Sequence, residues 1–224
     1  MKLRVIITGA TGMVGEGVLH EALRDPEVEQ VLSVSRRPSG YTHPKLREVL
    51  VADFFDLAPI ADQLAGYNAC FFCLGVSSVG LKEPEYSRLT YELTLHFART
   101  LLARNGFGLT FCYVSGAGTD SSERGRSMWA RVKGRTENEL LALGFRAAYM
   151  FRPGFLRPTP GLRNTLGYYR YIGWLYPVLG GLLPRYFGTL AGLGQAMLRV
   201  AQTGYARPLL EVPDIERLAR EPAE

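Results

Sequence analysis

Apolar positions run in short blocks that alternate between two periods. Leu3 to Thr8 is a β-branched strand, and Met13 to Leu23 repeats Val14, Val18, Leu19 and Ala22 at helical spacing. Val28 to Ser35 and Arg47 to Val51 read as the next strands, with a short helix over Asp56 to Ala65 and a buried strand from Ala69 to Leu74. Glu83 to Asn105 has the pattern of one long helix stopped by Asn105-Gly106, and Gly108 to Val114 is a further strand. Glu123 to Leu143 follows as a helix, ended at Gly144, and Ala147 to Phe151 as a last parallel strand before Arg152-Pro153-Gly154. Beyond these come a helix at Gly192 to Ala201, a short Leu209-Leu210-Glu211-Val212 run and a polar helix from Asp214 to Arg220. Strands alternating with helices at this spacing predict an α/β, Rossmann-type doubly wound parallel sheet with helices on both faces and ligands at the carboxyl ends of the strands. No repeat or Ser/Gly-rich linker divides the chain, so residues 1–224 are expected to be one domain with 155–224 as a C-terminal, substrate-side helical extension.

The loop Gly9-Ala10-Thr11-Gly12-Met13-Val14-Gly15 joins the first strand to the first helix. Its glycine spacing suits a dinucleotide: Gly9 for the tight turn, Gly12 for close approach of a pyrophosphate, Gly15 for packing of the helix on the sheet. Backbone N–H groups of Thr11, Met13 and Val14 at the helix start complete an anion site. The second strand ends in Ser33-Val34-Ser35-Arg36-Arg37, with no acid where an NAD-selective site places one about twenty residues past the loop. Guanidinium groups of Arg36 and Arg37 fit a 2′-phosphate, which favours NADP(H) over NAD(H); the alternative is two solvated loop charges. Asp53 and Phe54, at the end of the third strand, are candidates for the adenine edge.

Composition narrows the picture further. A net charge of +5 spread over dispersed arginines suits a small anionic ligand, and no zinc-finger spacing, RNA-binding motif or basic helix argues for nucleic acid. Three cysteines and no secretory leader point to a reducing compartment, with the cytoplasm expected. Cys70 and Cys73 lie three apart in an apolar strand, facing opposite sides, so core packing is favoured over a local disulfide. His20, His43 and His96 show no metal-ligand spacing, and no metal is expected. Leu162 to Leu183 carries Tyr168, Tyr169, Tyr171, Trp174 and Tyr176 but is broken by Arg163, Arg170, Pro177 and glycines, too interrupted for a transmembrane helix. A cover for the substrate cleft is the favoured role, with an interfacial helix or a homo-oligomer contact left open.

Taken in order, Gly9-x-x-Gly12-x-x-Gly15, Asp53, Leu74-Gly75, Ser115, Lys133 and Arg152-Pro153-Gly154 resemble the extended and atypical short-chain dehydrogenase/reductases over roughly residues 1–160. Within that superfamily the chain is similar to Tat-interacting oxidoreductase-like proteins and NAD(P)-dependent epimerase/dehydratase-like proteins. The resemblance implies cofactor contacts at Leu74, Gly75 and Lys133. It also implies a catalytic trio in which a serine orients a carbonyl, a tyrosine moves the proton, and a lysine four residues on holds the nicotinamide ribose and lowers the tyrosine pKa. Ser115 and Lys133 match, but Trp129 stands at the tyrosine position. An indole N–H does not titrate near neutrality, so it cannot serve as general acid. Tyr86, Tyr91 and the acids of the loop after Ser115 are candidates to replace the missing acid, with helix packing the simpler reading of the tyrosines and a solvated loop that of the acids, while Ser77 and Ser78, just after Gly75, are placed to reach the nicotinamide side. Two functions follow: an NADP(H)-dependent oxidoreductase or epimerase-like enzyme on a small or lipophilic carbonyl or alcohol, or a non-catalytic NADP(H)-binding sensor or scaffold.

Overall fold

The computed structural model describes residues 2–164 and 185–220. Strands β1 (Leu3–Thr8), β2 (Val28–Ser35), β3 (Leu46–Leu50), β4 (Ala69–Phe72), β5 (Thr110–Val114), β6 (Ala147–Arg152) and β9 (Leu209–Glu211) form a seven-stranded sheet in the order β3-β2-β1-β4-β5-β6-β9. Every neighbouring pair in it is parallel. This is the doubly wound α/β architecture read from the sequence. A second, two-stranded parallel ribbon pairs β7 (Phe155–Arg157) with β8 (Phe187–Thr189).

The central strands read as unbroken apolar runs because both of their faces are covered. Val5 and Ile7 point into one core, with α1 (Met13–Arg24) and α5 (Leu190–Thr203), while Ile6 points into the other. That second core carries α3 (Leu93–Asn105) and a ring cluster in which Phe72 lies 5.5 Å from Phe97 and 6.0 Å from Phe111. Helices α1 and α5 approach closely where they lack side chains: a Cβ on Gly17 would stand 2.2 Å from Leu190, and one on Gly194 would stand 2.8 Å from Glu21. Cys70 and Cys73 contribute to different cores, and the three cysteines are free.

Several boundaries depart from the periodicity. The long helix after β4 is α2 (Glu83–Ser87), a π turn over Arg88–Glu92, and then α3. The segment before β4 is a 3-10 helix, Ala58–Leu64, with Pro59 in its first turn. Helix α4 begins at Met128 and ends at Ala142; the preceding residues are held as a loop by Asp120, which accepts from Ser122 N–H, Ser122 Oγ and Gly125 N–H. Glu123 in that loop has φ 61°, a left-handed conformation incompatible with a continuing helix. Helix α5 starts earlier than expected because Thr189 accepts from Gly192 N–H at 3.0 Å and caps it. Helix α6 (Val212–Arg220) follows β9 directly. No helix among the described residues is long and apolar enough to cross a membrane.

Candidate functional site

Five of the parallel strands, β1 to β5, deliver loops to one end of the sheet. After β1, Gly9 turns with φ +73°, and its carbonyl accepts from Gly12 N–H at 2.9 Å. A Cβ on Gly9 would meet the Cys73 carbonyl oxygen at 2.8 Å, so only glycine lets the exits of β1 and β4 lie side by side. A Cβ on Gly15 would stand 2.2 Å from the Gly9 oxygen. Gly15 therefore lets the helix close onto the turn that leaves β1. Gly12 is exposed, and its Cβ would meet nothing closer than 3.5 Å. Thr11, Met13 and Val14 are half-buried, and no side chain caps the start of α1.

Around this loop, Thr8 Oγ1 accepts from Leu74 N–H at 3.2 Å, and Gly75 beyond it is exposed, with nothing within 4 Å of an added Cβ. Ser77 turns its hydroxyl to Val79 N–H. Ser35 Oγ donates to the Arg37 carbonyl, leaving Arg36 and Arg37 exposed at the end of β2. Asp53 is exposed and accepts from Phe55 N–H at 2.9 Å. The Phe54 side chain lies in the core, 6.0 Å from the Phe97 ring, so only its backbone is open to a ligand.

After β5, Ser115 is buried, and both its N–H and its hydroxyl donate to the Phe151 carbonyl, at 2.8 and 3.0 Å. Lys133 reaches back from α4 to donate to the neighbouring Val114 carbonyl at 3.3 Å, with its ammonium 5.4 Å from the Tyr113 ring centroid. Burial lowers its pKa to about 8, opposed by the Glu137 carboxylate one turn on. Trp129, one turn before Lys133 on the same helix, is half-buried with its indole Cη2 3.6 Å from where a Gly118 Cβ would stand. Tyr86 is buried and burial raises its pKa; Tyr91 lies beneath the Arg135 guanidinium at 4.2 Å. His20 and His43 engage Glu21 and Lys45 N–H respectively, and His96 lies beside the Phe55 ring. Tyr168 and Trp174 lie outside the described residues.

Three features were missed in the sequence. The loop over 115–127 is fixed to α4 by Asp120 N–H donating to the Ala130 carbonyl and by Gly134, whose Cβ would stand 1.8 Å from the Asp120 oxygen. Arg152, at the end of β6, is clasped by Glu137 through two nitrogens, by Glu211 at 3.2 Å and by Ser121, and the hydrogen bonds with Glu137 raise its pKa. Glu16, buried in the first turn of α1, accepts from Tyr41 Oη at 2.6 Å and from Arg163 and Asn164 N–H, both at 2.7 Å. Burial pushes its pKa up, but these hydrogen bonds outweigh it and hold the carboxyl below its usual range. A charged residue at the end of an otherwise apolar strand, as Arg152 is, was the one available signal for such a network.

No family model matches the chain. Among curated proteins it is 28% identical over 159 residues to protein fmp52, mitochondrial, of Emericella nidulans, covering 68% of this chain and 66% of that one. It is 29% identical over 154 residues to protein HTATIP2 of Rattus norvegicus, covering 68% and 62%. The chain thus matches slightly less than two thirds of the length of these relatives. Among solved structures, MoeE5 in complex with UDP-glucose and NAD superposes with a TM-score of 0.66 at 18% identity, over 96% of this chain and 80% of that one. A short chain dehydrogenase family protein from Francisella tularensis gives 0.66 at 13% identity, over 91% and 93%. The fungal relatives are named mitochondrial proteins, which overturns the cytoplasmic expectation. Cys70, Cys73 and Cys112 are free, which does not choose among compartments. With sequence relatives of the Fmp52 and HTATIP2 type and the fold of short-chain dehydrogenases, this chain resembles the atypical members of the short-chain dehydrogenase/reductase superfamily.

Proposed function

We propose that the chain binds NADP(H) in the cleft between the exits of β1 and β4 and acts as an oxidoreductase or epimerase-like enzyme on a small or lipophilic carbonyl or alcohol. The observation that carries this reading is the glycine loop. Gly9 and Gly15 are required by backbone contacts within the protein, whereas Gly12 and Gly75 meet no internal contact that demands glycine. Open glycines beside an uncapped helix start, where the strand order reverses, suit the close approach of a pyrophosphate. Arg36 and Arg37 stand exposed at the end of the adjacent strand, and guanidinium groups there would suit a 2′-phosphate. Lys133 would hold the nicotinamide ribose, and the bound nicotinamide would supply hydride chemistry.

Without a tyrosine at position 129, Lys133 takes the proton-carrying role in this reading. An amine with a pKa of about 8 is protonated at neutrality yet gives up its proton readily, as a general acid must. Ser115 would turn its hydroxyl from the Phe151 carbonyl to a substrate oxygen, and the Trp129 indole would wall the site without titrating.

Calorimetry with both cofactors tests the assignment. NADPH is expected to bind at least tenfold more tightly than NADH, about 1.4 kcal/mol, and joint replacement of Arg36 and Arg37 by alanine is expected to erase the difference. Equal wild-type affinities remove the arginine argument, and no binding of either cofactor overturns the function. Trp129 in place of a titratable tyrosine favours a second reading, a non-catalytic NADP(H)-binding sensor or scaffold. Cofactor oxidation across a panel of carbonyl substrates separates the two.

A further inference from the structure

The opposite end of the sheet carries a second group of polar residues. Arg4 on β1 and Gln30 on β2 are register partners, and Arg4 Nη2 donates to Gln30 Oε1 at 3.0 Å. Arg47 on β3 pairs with Leu32 on β2, and the alternation of the strands puts Arg4, Gln30, Leu32, Arg47 and Val49 on one face. Tyr67, buried just before β4, lies with its ring 5.5 Å from the Arg4 guanidinium. Burial raises the Tyr67 pKa, while the charges of both Arg4 and Arg47 pull it down, so both guanidiniums act on the phenol. A cavity of about 400 Å³ is lined by Leu32, Arg47, Glu48, Val49, Gln63 and Tyr67; Arg4 and Gln30 are not in that lining and adjoin it through Tyr67, whose ring faces the Arg4 guanidinium.

The donors in this group outnumber the acceptors. Arg4 Nε and Gln30 Nε2 are buried with no hydrogen-bond partner among the described residues. Neither Arg4 nor Arg47 forms an ion pair with a carboxylate among those residues. The one acid in the lining, Glu48, has a carboxylate oxygen engaged with Ser39 N–H at 2.8 Å. Buried N–H groups in folded proteins almost always find an acceptor, and guanidiniums favour carboxylate or phosphate oxygens. The volume lies in the range of small-molecule sites, and Leu32, Val49 and the Tyr67 ring supply the apolar walls that such sites have.

We propose that this cavity binds a small organic anion, its carboxylate or phosphate held by Arg47 beside the Arg4–Gln30 pair and its apolar body laid against Leu32, Val49 and Tyr67. Arg4 and Gly9 are separated along β1 by about 16 Å at roughly 3.3 Å per residue, so the site is distinct from the glycine cleft and its occupancy does not depend on a dinucleotide.

The test follows the side-chain resonances of Arg4 Nε–H and the Gln30 amide in ¹⁵N-labelled protein during titration with benzoate, phenyl phosphate and neutral benzyl alcohol. Saturable shifts with either anion and none with the alcohol are expected, and the tighter anion identifies the preferred head group. Arg47→Met, at an exposed position, is expected to keep the wild-type spectrum elsewhere and weaken anion binding at least tenfold. Absence of saturable shifts with both anions would mean that water alone meets these donors and would overturn the proposal. Equal response to benzyl alcohol, or unchanged affinity in Arg47→Met, would overturn it as well.

Discussion

Two strand-to-helix turns leave the same end of the sheet, and they are built from different materials. The turn over residues 9–12, between β1 and α1, is defined by backbone against backbone: Gly9 on Cys73, Gly15 on Gly9, with no side-chain cap. The turn over 115–127, between β5 and α4, is defined by side chains: Asp120 gathers its own loop, and Arg152 and Glu137 lock its base. A turn made of backbone offers N–H groups to any phosphate and needs only glycines in place. A turn made of side chains can be altered one residue at a time, and Trp129, in the first turn of α4, packs against that second kind.

The strongest break of this contrast is at Glu137. Glu137→Ala leaves Arg152 deeply placed without its main partner, and a loss of about 3–5 kcal/mol in urea unfolding is expected. Replacing both residues by methionine is expected to recover most of that loss, because no uncompensated charge remains. A mild effect of the single variant would show that the second turn does not rest on this pair.

Lys133 gives the contrast a pH axis. An ammonium whose folded pKa is about 8, below its unfolded value of 10.5, costs stability while both states are protonated. The cost is present below the folded pKa and is relieved as pH rises from about 8 towards 10.5. Lys133→Met is therefore expected to be more stable than wild type at about pH 6.5, by up to about 3 kcal/mol, with the gap narrowing by about pH 10. A gap independent of pH would place the ammonium in solvent. Trp129→Tyr sharpens the comparison by function: one turn from Lys133, a phenol is expected to raise carbonyl turnover about a hundredfold, near 2.7 kcal/mol, with NADPH affinity unchanged. Slower turnover would assign Trp129 to a working site.

The backbone turn is tested with alanines. Gly15→Ala is expected to cost about 2 kcal/mol and to weaken NADPH, since its Cβ would overlap the Gly9 carbonyl. Gly75→Ala is expected to leave the melting temperature unchanged while weakening NADPH, because nothing in the protein meets its Cβ. Loss of stability at Gly75 would mean that its openness is structural.

The same division explains what could be read in advance. Parallel strands covered on both faces read as apolar runs, and glycines forced by backbone contact read as a motif, so β1 to β6 and the first turn were legible. The start of α4 was not, because Asp120 competes for backbone N–H groups that helical periodicity assigns to a helix. Phe54 looked like a ligand contact beside Asp53, yet its ring belongs to the core. Glu16 and Arg163, far apart in sequence, meet only through tertiary packing, and no local pattern announces them.

Strand β9 is only three residues long, yet it covers the open side of β6 from Met150 to Arg152, and its Glu211 reaches Arg152. Proteolysis after Gly204 would strip that cover and expose a row of unpaired main-chain groups beside an apolar strand. Such an edge recruits strands from other molecules. Damage to this tail would then be seen first as aggregation, with the glycine turn, three strands away from β6, still intact in each molecule.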